Sequence, residues 1–94
     1  MDGKRVLEVI NVYRVHFKNL GIPKNDFPHQ QILSNKEWML AHCHGMLDEM
    51  DKFVAEDRIG KAFRWLGFIQ GCLWSAGHYT LEELKNHSRP NSAD

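Results

Sequence analysis

At 94 residues, with 43% apolar and 26% charged side chains, the chain is too short for two ordinary domains and too apolar for a disordered one. Twelve Lys plus Arg balance twelve Asp plus Glu, so no global field draws the chain to nucleic acid or anionic lipid. No window approaches the roughly 18 uninterrupted apolar residues of a membrane span, and the expected class is one small all-helical domain.

The first element is predicted over residues 4–20. Val6, Ile10, Tyr13, Phe17 and Leu20 recur in alternating four- and three-residue steps, the spacing of one helix face. The Tyr13-Val15-Phe17 alternation also suits a strand, but the pattern outruns ordinary strand length. Glu8, Asn11, Arg14 and His16 interrupt the stretch, which therefore lacks the apolar core of an export signal, and a cytoplasmic location is expected. Gly21 stands where a left-handed cap ends the helix.

Residues 21–34 form a long connection in which Pro23 and Pro28 exclude a continuous helix. Ile22, Phe27, Ile32 and Leu33 supply apolar anchors for a loop that seals one end of the core. The alternative is a recognition loop presenting Lys24, Asn25, Asp26 and His29.

A second helix is predicted over 35–56, opened by a capping box from Ser34 to Glu37 and carrying Met39, Cys43, Met46, Met50 and Phe53 inward. His44, Asp48 and Asp51 share a face at i, i+4 and i+7, a donor set that suits zinc, manganese or iron. No HExxH or paired-cysteine signature accompanies them, so a solvated polar face is the expectation, with neither metal nor cofactor. The acidic run of Asp48, Glu49, Asp51, Glu56 and Asp57 lies toward the C-terminal half of this helix, where the macrodipole disfavours negative charge, so basic groups such as Arg14, Lys18 and Lys52 are expected beside it. Cys43 and Cys72 are too few for a disulfide scaffold and are read as reduced thiols.

A third helix over 60–76 would pair with the second as a helical hairpin. With the N-terminal helix the hairpin makes a three-helix antiparallel bundle, closed by a short fourth helix over 81–86 that Thr80 and Glu83 cap. Residues 88–94 are a tail. The third helix is apolar nearly all round: Leu66, Ile69 and Leu73 mark one face, Trp65, Phe68 and Cys72 a second, and Phe63 and Trp74 a third. Gly67, Gly71 and Ser75 form a strip of small residues that another helix could approach closely. These features predict self-association, most simply a twofold dimer, with Trp65, Gly67, Phe68, Gly71, Cys72 and Trp74 as interface candidates. Arg64, the one charge in this stretch, needs water, a ligand anion or a carboxylate such as Asp48 or Asp51, and Gln70 needs hydrogen-bond partners. Arg64, Gln70, Lys24, His29, Asp48 and Glu49 are accordingly the candidate partner or pocket residues.

The run Arg64-Trp65-Leu66-Gly67-Phe68-Ile69-Gln70-Gly71, followed by Leu73-Trp74, a glycine turn, a short acidic helix and Arg89-Pro90, resembles a group of small helical proteins encoded by bacteriophages, prophages and similar mobile elements. The resemblance covers roughly the last third of the chain. It implies a bacterial cytoplasm and a mobile or accessory gene, and it brings no chemistry with it. Nucleophile elbows, phosphate loops and dinucleotide turns are missing from the sequence, so an enzyme is not the favoured reading. The expectation is a homo-oligomeric protein that binds and modulates a host or phage protein. The alternative is a metal-dependent or nucleotide-handling protein in which His44, Asp48 and Asp51 face Arg64.

Overall fold

The computed structural model describes residues 2–89, so residues 90–94 of the expected tail lie outside the described residues. Four helices, and among the described residues no strand, make up the fold: α1 (Gly3–Asn19), α2 (Lys36–Ala55), α3 (Ile59–Ser75) and α4 (Leu81–Ser88). Helix α2 packs against both α1 and α3, while α4 lies across α1 and α3. No helix among the described residues is long and apolar enough to cross a membrane.

Local chemistry fixes the helix limits. Asp2 and Asn35 accept hydrogen bonds from the backbone N–H groups of Arg5 and Trp38, at 2.9 and 3.0 Å, and so cap α1 and α2. The second of these corrects the expected Ser34–Glu37 box: the carboxamide of Asn35 takes the N-cap, and Glu37 then stands one position too early to reach back. Thr80 and Glu83 form the reciprocal box predicted for α4, with bonds of 3.1 and 2.9 Å. The helix nevertheless runs two residues further than expected, to Ser88.

The first three helices end alike. The N–H groups of Ile22, Arg58 and His78 reach back to the carbonyls of Phe17, Phe53 and Leu73, with a second, shorter loop of hydrogen bonding inside each. This is the Schellman arrangement, which requires a left-handed residue just past the helix. Gly21 and Gly77 fill that position at φ of 70° and 78°, whereas after α2 it falls to Asp57 at 60°.

Val6, Val9, Ile10, Tyr13 and Phe17 of α1 meet Ala62, Leu66, Ile69 and Leu73 of α3 in the core. Helix α2 is turned relative to expectation: Leu40, Cys43, His44, Leu47, Met50 and Phe53 are buried, while Met39 and Met46 move to the edge. The hydroxyl of fully buried Tyr13 is satisfied by Gln70 Nε2 at 3.0 Å and His87 Nδ1 at 2.9 Å. Burial pushes that phenol up to about 12. Gln70 also donates to Ser88 Oγ at 2.9 Å, so its amide ties α3 to α1 and α4 instead of lining a pocket beside Arg64.

Candidate functional site

The connection between α1 and α2 is laced onto one turn of α2. His44 Nδ1 donates to the Ile22 carbonyl at 2.8 Å, the Asn25 N–H to the Ala41 carbonyl at 3.1 Å, and the Phe27 N–H to His42 Nδ1 at 3.2 Å. Such close passage needs a residue without a side chain: a Cβ on Gly45 would stand 2.8 Å from the Asn25 carbonyl oxygen. These links hold the first half of the connection to the bundle, and residues 28–35 then arch toward the start of α2, where the Phe27 and Trp38 rings stack at 6.1 Å.

Beneath this arch runs an open cleft of about 820 Å³ between the connection, α2 and α3. Phe27, Leu33, Met39, Met46, Trp65 and Phe68 give it an apolar lining, and Cys72 also contributes. Its charged groups are Lys61 and Arg64, accompanied by the imidazoles of His29 and His42, and no carboxylate lines it. Lys61 Nζ lies 4.6 Å from the centre of the Phe53 ring and 5.8 Å from that of Trp65, which in turn meets Phe53 edge-on. Among the described residues no ion pair involves Arg64. A chamber of this size, apolar with a few polar groups at its walls, has the character of a ligand site.

The cluster proposed from spacing, by contrast, is taken apart. His44 is 3% exposed, turned into the core against Phe17 with its Nε2 buried, and not on the solvated face expected of it. Asp48 accepts from Arg14 at 3.2 Å and from Lys24 at 3.0 Å, and Asp51 accepts from Arg14 at 2.7 Å. Lys24, and to a lesser degree Arg14, holds the Asp48 carboxyl below its ordinary range. These carboxylates therefore face α1 and the connection, not Arg64, because α1 lies on that side of α2. Glu49 pairs with Lys52 at 3.2 Å, a surface contact worth about 0–1 kcal/mol.

The six interface candidates separate into two surfaces. Trp65 and Cys72 turn toward the cleft, and Cys72 neighbours the buried Cys43 thiol. Cys72 and burial together raise the Cys43 thiol, whereas Cys43 lowers that of Cys72 against the opposing effect of burial. Gly67, Gly71 and Trp74 turn outward, and Phe68 stands on the rim shared by the cleft and this outer face: Phe68 is 55% exposed, Trp74 53%, and a Cβ added at either glycine would meet nothing within 4 Å. The expectation of a helix lying in this strip is not met inside the chain, because α4 crosses beyond it and leaves Leu81 54% exposed beside Trp74.

Spacing did not single out a different trio. Asp26, His29 and His42 each bring a ligand atom within 4.8 Å of the others. The sequence held only the short Asp26-x-x-His29 step as a signal, and His42 joins it solely because the connection folds back over α2. Comparison of the chain with protein-family models, with curated proteins and with solved structures yields no match.

Proposed function

We propose that this chain is a small protein-interaction module that pairs with a second copy of itself through the outward face of α3, in the bacterial and mobile-element setting that its Arg64–Trp74 segment implies. The reading takes α1 with the α2–α3 hairpin as an antiparallel three-helix bundle, so that α3 is an edge helix with one open side. The observation that carries it is the pattern on that side: two half-exposed aromatic rings flank a strip of small residues with open space above it. Large apolar side chains grouped in this way on a helix mark an interaction surface.

The pattern also matches itself. If two α3 helices cross antiparallel about a twofold axis at Gly71, Phe68 of one copy falls opposite Trp74 of the other, and Gly67 opposite Ser75. Each bulky ring meets its counterpart, while the small residues let the helices come close. Sedimentation equilibrium of the full chain across a concentration series tests this. A monomer–dimer equilibrium is expected, shifted to monomer by Gly71→Glu and by Trp74→Ala with helical circular dichroism retained. A wild-type chain that stays monomeric throughout the series removes the proposal.

The cleft supports a second reading, in which the module receives an apolar ligand or partner segment bearing negative charge. Its cationic lining without carboxylates favours that occupant. Decanoate should then perturb Trp65 fluorescence where decanol does so weakly, and Arg64→Gln should abolish the difference. Equal responses to both would dismiss the charge selectivity.

A further inference from the structure

Beyond pairing and cleft occupancy, we infer that Asp26, His29 and His42 form a binding site for a borderline divalent transition-metal ion such as zinc. One carboxylate oxygen and two imidazole nitrogens converge from the connection and from α2, all within 4.8 Å of one another. Among the described residues no other set of three His, Cys, Asp or Glu side chains does so. Two nitrogen donors and one oxygen donor suit zinc, cobalt or copper and are a poor match for magnesium or calcium, which take oxygen ligands.

The positions of the donors follow from the lacing already described. His42 stands on α2 with its side chain only 17% exposed, which limits the rotamers it must give up on binding. Asp26 follows Asn25, whose N–H is hydrogen-bonded to the Ala41 carbonyl of α2, so its backbone stays opposite His42 even when the Phe27 bond is given up. Its Oδ1 is 4.0 Å from His42 Nδ1, and its side chain is 92% exposed and free to rotate inward. His29 follows across Pro28 and meets the His42 ring edge-on at 6.0 Å.

Zinc bonds of about 2.0–2.1 Å place tetrahedral donors about 3.4 Å apart, so donor separations of up to 4.8 Å must contract by up to about 1.4 Å. Exposed Asp26 and His29 supply that movement. Metal coordination through His42 Nδ1 replaces the hydrogen bond from the Phe27 N–H, whose 3.2 Å length lies at the long end of the normal range. Three protein ligands leave a further coordination position for water or for an anion. Since His29 and His42 also line the cleft, the ion sits at the edge of that chamber.

The test uses the full chain and zinc ions alone, in competition with a chromophoric chelator, with cobalt absorption as a report on coordination geometry. One equivalent per chain is expected, insensitive to excess magnesium. Asp26→Asn and His29→Ala should each weaken binding by about tenfold or more. Both side chains are exposed, so these variants retain the fold, whereas His42→Ala also removes a link to the connection and is read only after circular dichroism. A double variant His16→Ala/His78→Ala, which removes the other close imidazole pair, should leave the affinity unchanged. Absence of zinc binding at micromolar concentrations overturns the assignment, as does binding that survives Asp26→Asn and His29→Ala.

Discussion

His16 Nε2 lies 2.8 Å from His78 Nδ1, so one ring must donate and the other accept, and the pair holds a single proton between those two atoms. Burial, reinforced by the neighbouring His78, lowers the His16 pKa, and burial likewise lowers that of His87. For groups shifted down in the folded chain, the unfolded chain binds more protons between the two values. The stability associated with the neutral rings is therefore complete above the ordinary imidazole value of about 6.5 and is lost as pH falls from there toward the folded values. Urea midpoints should drop between pH 7 and pH 5, and His16→Gln/His78→Asn should flatten part of that slope. An unchanged slope in the double variant would assign the dependence elsewhere.

Glycines of opposite consequence sit on α2 and α3. Gly45→Ala drives a methyl group against the Asn25 carbonyl oxygen at 2.8 Å and should cost about 1–3 kcal/mol by denaturant unfolding. Gly67→Ala and Gly71→Ala enter open space on a helix and should each stabilise the monomer by about 0.5–1 kcal/mol. The proposed pairing adds a signature, because the same two alanines should weaken self-association while strengthening the fold.

Asp57 occupies a left-handed position that its two structural counterparts give to glycine. Asp57→Gly removes the Cβ clash of that conformation and should raise stability by about 0.5–1 kcal/mol, net of the greater freedom that glycine has when unfolded. Thermal melts of the variant beside wild type provide the measurement, and Asp57→Val should shift the melt the other way.

Cys43 is fully buried, whereas Cys72 is partly exposed and lines the cleft. Under native conditions a thiol-reactive chromophore should therefore label one cysteine per chain quickly, and mass mapping should place it at Cys72. Cys43 should react only as fast as the chain opens. Preferential labelling of Cys43 would contradict both the burial and the direction in which each thiol is shifted.

Much of the architecture was readable from periodicity and punctuation. The four- and three-residue steps found most of the buried residues of α1 and α3 because each of those helices has one well-defined inward stripe, although Leu20 lies past the end of α1 and is 54% exposed, and buried Val9 was passed over. Gly21 and Gly77 marked helix ends because few other residues adopt positive φ. On α2 the apolar residues spread over more than one face, and the pattern could not tell which would go inward; Met39 and Met46 went to the cleft while Leu40 and Leu47 filled the core. Histidine was the least legible residue. His44 was expected on a solvated polar face and proved to be a core link to Ile22, while His42, which spacing did not single out, stands beside Asp26 and His29. What decides such roles is the path of residues 20–35, and nothing in local spacing encodes it.

The three fastenings at Ile22, Asn25 and Phe27 divide that path into a riveted half and a hanging half. The fastened half reaches the cleft only at Phe27, whereas residues 28–34, which make no hydrogen bond to α2, can be rewritten in length and composition without undoing those links. A designer wishing to give this scaffold a new guest would thus randomise those seven positions first and leave the rivets alone.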